Sequence, residues 1–246
     1  ANDKHPRVRL EAVRAASWVN TAAAAEAALE VLKHERDYYI DYSLGEVIRF
    51  LEPHWKSAVN NGELFAADNP AGIEYILGSI ATVDLAKLPK SAPVYLAMLT
   101  RPNVKEQSRL DALAGLAKHK KSTEFAELTA AINYIDQTDA IGAETVIYDL
   151  VLMLTRRDPS ELVSAKAQFV NWTKTGKRPI TRRIGYVALV AADQSVERTY
   201  KMAAKSAKTL RDLLAAVQIM PDAGLRGALY PIGEPLLTTL PKNLSA

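Results

Sequence analysis

The chain has 246 residues, 48% of them hydrophobic and 24% charged, with four histidines, no cysteine and a formal net charge of +3. The missing thiols exclude disulfides, thiolate metal sites, a cysteine nucleophile and haem attachment through Cys-x-x-Cys-His, and no apolar run reaches the roughly 20 residues of a membrane span. The net charge hides an asymmetry: residues 1–155 carry 16 Lys and Arg against 21 Asp and Glu, net −5, whereas residues 156–246 carry 15 against 7, net +8.

The first predicted element runs over 6–18. Pro6 suits a first helical turn, where its missing N–H costs nothing, and Asn2 or Asp3 lies close enough to act near the cap. Val8, Ala12, Ala15 and Ala16 fall at helical spacing with Arg7, Arg9, Glu11 and Arg14 largely opposite, which predicts a buried stripe of small side chains and a close neighbouring helix. An Ala-rich helix follows over 22–33, and another over 37–51.

The stretch Asp37-Tyr38-Tyr39-Ile40-Asp41-Tyr42 through Leu51-Glu52-Pro53-His54-Trp55 has the least ordinary local composition in the chain. Two readings apply. Tyr38, Tyr42 and Trp55 form a stacking surface for a sugar, base or peptide; alternatively Tyr38 and Tyr42, at i and i+4, pack on the next helix with only their hydroxyls at the surface. Beyond a helix at 55–60, the polar break 60–69 contains Asn60-Asn61-Gly62 and Asp68-Asn69-Pro70 and predicts an exposed loop.

Further helices are predicted over 70–80, 92–100, 105–118, 123–135, 142–155, 159–174, 179–191, 194–203, 207–219, 222–228 and 231–239. Ser122-Thr123-Glu124 and Asp158-Pro159 with Glu161 read as helix entries. Strand-like alternation is nearly absent, so the class is all-α. Gly and Pro fall singly at breaks rather than pooled in a linker, so they punctuate helices and mark no domain boundary.

The opening phrase returns in eroded form. An offset of 35 carries Glu11, Val13, Arg14 and Ala16 onto Glu46, Ile48, Arg49 and Leu51. An offset of 100 carries Arg9-Leu10-Glu11-Ala12 onto Arg109-Leu110-Asp111-Ala112 and Ala16 onto Leu116. An offset of 174 carries Arg9-Leu10 onto Arg183-Ile184, in a helix that Pro179 opens as Pro6 opens the first. Such recurrence predicts an α-solenoid of HEAT-like helix pairs, with a unit of about 35 to 45 residues, running as one array over 1–246.

Charge and chemistry can be weighed together. In the basic third, Arg156-Arg157, Lys174 with Lys177 and Arg178, Arg182-Arg183 and Lys201 through Lys205 to Lys208 form either a patch for an acidic partner or nucleic acid, with Lys177, Arg178, Arg182 and Arg183 at its centre, or an ordinary solvated helix face. His5, His34, His54 and His119 lack the i, i+4 spacing that sets two imidazoles on one helix face, which predicts no metal site. Lys174-Thr175-Gly176-Lys177 lacks the strand and leading glycine of a phosphate loop. No catalytic residue and no cofactor is therefore predicted within the chain.

The opening phrase, the Asp-Tyr-Tyr-Ile-Asp-Tyr-x-Leu-x-Glu stretch with Leu-Glu-Pro-His-Trp, and the closing Leu210-Arg211-Asp212-Leu213-Leu214 and Leu225-Arg226-Gly227-Ala228-Leu229-Tyr230-Pro231 through Leu236-Leu237 together resemble a known segment. It is the HEAT-repeat part of large exported planctomycete-type proteins described as haem-binding or membrane-bound dehydrogenase-like. The resemblance runs along nearly the whole chain. It implies a propeller dehydrogenase-like domain before such a segment, a cytochrome c domain after it, and a periplasmic or otherwise exported parent. On that footing the chain is one piece of a larger polypeptide, a noncatalytic scaffold whose partners are other proteins or its own adjacent domains. A nucleic-acid-binding helical-repeat protein is the alternative.

Overall fold

The computed structural model describes residues 1–61, 65–66, 68–138 and 142–238. Part of the 60–69 break and the end of the helix expected at 231–239 lie outside them. Among the described residues the fold is all-α: sixteen α-helices and three short 3-10 turns, with no strand. Two compact units divide the chain, at a point where the sequence carries no linker.

The first unit, Ala1–Leu99 with Asn103–Lys120, carries α1 (Pro6–Ala16), α2 (Ala22–Leu29), α3 (Tyr38–Phe50), α4 (Glu52–Asn60), α5 (Pro70–Ser79), α6 (Thr82–Leu85), α7 (Ala92–Thr100) and α8 (Glu106–Lys120). Helix α1 packs on α2 and α3, and α2 reaches α4 and α5. Ala25, Ala28 and Leu29 of α2 are fully buried beside Ile40, Leu44 and Ile48 of α3 and Trp55 of α4. The Ala-rich run of α2 is what permits contact with so many neighbours, because short side chains let helix axes approach.

The second unit, Thr100–Pro102 with Lys121 onward, carries α9 (Glu124–Gln137), α10 (Ala143–Thr155), α11 (Pro159–Ser164), α12 (Lys166–Thr175), α13 (Pro179–Asp193), α14 (Glu197–Ala203), α15 (Ala207–Ala216) and α16 (Ala223–Gly233). Helix α13 is its hub: α10, α11, α12 and α15 all pack on it, and from Ile184 to Val190 every residue is buried. A helix apolar on all sides has to lie inside.

Several boundaries differ from the sequence reading for identifiable reasons. The helix expected at 159–174 is two, broken at Ala165. Those expected at 222–228 and 231–239 begin as one helix that runs through Pro231. Position i−4 to that proline is Gly227, whose missing side chain gives the backbone freedom to absorb the ring. The cap of α1 is His5 rather than Asn2 or Asp3: its Nδ1 accepts the Arg7 N–H at 3.2 Å, while Asp3 accepts the His5 N–H at 2.8 Å. Both predicted entries hold, with Thr123 capping Ala126 and Asp158 capping Ser160.

The arginines that the recurrent phrase singles out share a local geometry that the apolar pattern obscures. In α1 the buried residues are Arg9, Val13 and Ala16, whereas Val8 and Ala15 face solvent. Of the expected stripe only Ala16 is buried and Ala12 half-buried, and the arginine expected outside is buried with it. Its guanidinium Nη1 donates to the Asp3 and Lys4 carbonyls and its Nη2 to Glu35, each at 2.9 Å. Arg182 and Arg226 donate through Nη1 to the carbonyls six and five residues before them, Gly176 with Lys177 and Met220 with Pro221. Arg109, 1% exposed, donates to the Leu99 carbonyl.

All four arginines are the fourth residue of their helix, in α1, α8, α13 and α16. In α1, α13 and α16 the arginine folds back to satisfy carbonyls of the incoming loop and fixes its angle of entry, whereas Arg109 reaches the Leu99 carbonyl in the preceding helix α7. The third frame is accordingly corrected by one residue: Arg9 corresponds to Arg182, not Arg183, with the offset of 173 that also carries Pro6 onto Pro179.

Candidate functional site

Two candidate surfaces come from the sequence, and the structure treats them differently. On α3 one face is anchored by Ile40, Leu44, Val47 and Ile48, and Asp37 caps the helix by accepting the Ile40 N–H at 2.9 Å. That phase leaves the tyrosines outside. Tyr38 is 74% exposed and Tyr42 61%. Their rings stack, with centroids 6.2 Å apart and planes 20° from parallel, and Tyr39 meets Tyr38 edge-on at 5.7 Å. The reading in which Tyr38 and Tyr42 pack beneath a neighbouring helix is thereby corrected.

Trp55 is corrected in the opposite sense. It is 2% exposed in α4, and its indole N–H donates to the Ile48 carbonyl at 2.8 Å. It belongs to the core and takes no part in a surface with the tyrosines. Phe50 at the end of α3, and Trp18 and Val19 just beyond α1, are further exposed hydrophobic side chains that the sequence reading did not single out. The outward phase of α1 and α3 follows only from knowing which residues face the core.

Charges surround the tyrosines. Asp41 pairs with Arg36 at 2.7 Å and Arg49 with Glu46 at 2.9 Å. The Tyr75 hydroxyl lies 3.7 Å from where a Cβ on Gly45 would sit. Burial, and next the Asp41 carboxylate, raise the Tyr75 phenol above its ordinary value. Stacked exposed rings beside charges of both signs suit contact with another protein surface, where aromatic residues and arginine are enriched.

Part of the basic cluster, Arg178 and Arg182, is engaged within the chain. The backbone N–H groups of Lys177 and Arg178 both donate to the buried Asp136 carboxylate at 2.9 Å, and the Arg178 guanidinium donates to the Thr138 carbonyl. Arg182 pairs with Asp212 at 2.8 Å in addition to its carbonyl contacts. Arg183 is half-buried, and Lys177 alone of the four has an exposed side chain. The sequence counted these charges correctly, but charge counting does not register that α12 turns into α13 over a buried aspartate.

Among the described residues no group of three or more His, Cys, Asp or Glu side chains is placed to hold a metal ion, and no helix is long and apolar enough to cross a membrane. No protein-family model, no curated protein and no solved structure matches the chain.

Proposed function

We propose that the chain is an interaction scaffold, a HEAT-like α-solenoid segment that holds neighbouring domains of a larger exported polypeptide in place. The observation that carries this reading is the aromatic face of α3, where Tyr38, Tyr39, Tyr42 and Phe50 stand exposed on a helix whose other face is locked in the core. Exposed aromatic clusters of this kind mark contact surfaces. The resemblance in sequence supplies the class of neighbour: a propeller dehydrogenase-like domain and a cytochrome c domain, between which the segment acts as a spacer and dock.

The test is made on the native polypeptide purified from its source, by intact mass and by tyrosine-directed chemical labelling. The expected result is a mass several times 26.9 kDa, with Tyr38, Tyr39 and Tyr42 labelled more slowly than in the isolated segment. A mass near that of the segment, with all three tyrosines labelled at equal rates in both preparations, overturns the reading.

A further inference from the structure

The turns at one end of the first unit carry exposed apolar side chains apart from the tyrosines of α3. Helices α1 and α3 pack side by side, and their entries are tied together: the Arg9 guanidinium donates to the Glu35 carbonyl at 2.9 Å, and His34 meets the Asn2 side chain at 2.5 Å. Two packed helices that start together run the same way and also end together, with axes about 8 to 10 Å apart. Trp18 and Val19 follow the end of α1, and Phe50 closes α3 at the opposite end from Tyr38. Helix α6 joins this edge. Glu52, at the start of α4, pairs with Lys56 at 2.8 Å and raises its pKa by hydrogen bond and charge, and the Asp84 carboxylate of α6 adds to that rise. Val83, beside Asp84, is exposed.

We propose that this edge, with Trp18, Val19, Phe50 and Val83, seats the first unit on a zwitterionic lipid surface. Trp18 is 86% exposed, and its turn is held by its own N–H to the Ala15 carbonyl and by that of Val19 to Ala16, both at 3.1 Å, so the backbone presents the indole outward. An indole has an apolar body and a polar N–H, the combination that favours the boundary between lipid and water. A protein partner reads apolar anchors through a contiguous patch and fitted pockets. Side chains standing singly on three separate turns offer no such patch, whereas a fluid lipid interface closes around each of them. The ionic groups of the edge come in pairs: Arg14 with Glu11 at 3.2 Å, Arg49 with Glu46 at 2.9 Å and Lys87 with Asp84 at 2.8 Å. A surface balanced in this way gains little from anionic lipid, and zwitterionic headgroups present both signs to it.

Trp18 reports on this contact by itself, because Trp55 and Trp172, the other two tryptophans, are buried. The full chain is titrated with phosphatidylcholine vesicles, which carry no net charge and so do not draw its basic third. Tryptophan emission is expected to shift to the blue, half-completely near ~1 mM lipid, about tenfold weaker than a single myristoyl chain achieves. Lipids brominated in the acyl chain are expected to quench it, and the titration to be the same at about 50 and 200 mM salt. Phe50→Ser and Val83→Ser, at exposed positions, are expected to raise the lipid needed at least about fivefold and twofold respectively, with unfolding midpoints unchanged. Trp18→Ser, followed by vesicle flotation, is expected to lose most of the binding. Absence of a shift up to about 10 mM lipid, a shift that brominated lipid does not quench, or an unchanged titration in both the Phe50 and Val83 variants overturns the proposal.

Discussion

Arg182 makes two kinds of contact at once. Its guanidinium pairs with Asp212 and holds the carbonyls of the loop entering α13, with side-chain exposures of only 17% and 11% for the two partners. Arg182→Ala leaves the Asp212 carboxylate in a site of low solvation without its counter-ion, at a cost of about 3 to 5 kcal/mol. The double replacement Arg182→Met with Asp212→Leu removes both charges and is expected to cost less than the single change, a difference that urea unfolding midpoints resolve. Tyr186 and Tyr75 supply a pH test. Burial first, and then the Asp212 and Asp41 carboxylates respectively, raise both phenols above the ordinary value of about 10. A folded value above the unfolded one means stability is fully present below pH about 10 and is lost as pH rises through the folded values. Unfolding free energy measured across that alkaline window is expected to fall, and the Tyr75→Phe, Tyr186→Phe double variant to flatten the fall.

At the scale of the element, α12 meets α13 at Gly185. A Cβ there falls 2.8 Å from the Phe169 carbonyl oxygen and 2.9 Å from the Thr173 nitrogen, both backbone atoms that cannot rotate away. Alanine raises helix propensity by about 1 kcal/mol, but overpacking against a fixed backbone costs about 1 to 3 kcal/mol. Gly185→Ala is therefore expected to lower stability by roughly 2 kcal/mol in thermal or urea unfolding. The control is Gly78→Ala in α5, where nothing lies within 4 Å, and where the propensity gain is expected to stand alone. What was legible in the sequence follows the same division. Periodicity and caps gave the helices, since Pro6, Thr123, Asp158 and Pro179 act through local geometry alone. Which face of α1 or α3 is covered depends on contacts between helices, so the pattern alone places Arg9 on the outer side and leaves both a surface and a packed position open for Tyr38 and Tyr42. Trp55 lies near the tyrosines in sequence, but α4 carries it into the core.

Across the whole molecule, the decisive quantity is how many of the charges in the basic third remain available to a partner. Arg157 pairs with Glu124 at 2.7 Å, Lys166 with Asp193 and Arg182 with Asp212, while Arg178 and Arg226 donate to carbonyls. A guanidinium bonded in this way keeps its charge and adds to the long-range field, yet it is held in place by those contacts and has fewer donors left for a phosphate. Weak binding of duplex DNA at low salt is therefore expected from the +8 imbalance alone. Such binding follows the number of phosphates neutralised, with a log–log salt slope of about −0.9 per phosphate. A surface of scattered exposed lysines neutralises only a few, so the slope is expected to stay shallower than about −3, and affinity to fall by no more than about 60-fold between 50 and 200 mM salt. A built nucleic-acid face making six or more phosphate contacts gives a slope steeper than about −5 and a loss of about a thousandfold or more over the same interval. Fluorescence anisotropy with a labelled duplex across that salt series separates the two cases. A steep slope places the acidic partner on this third of the chain, and a shallow one leaves the arginines with the role their geometry shows, holding the entrances of helices.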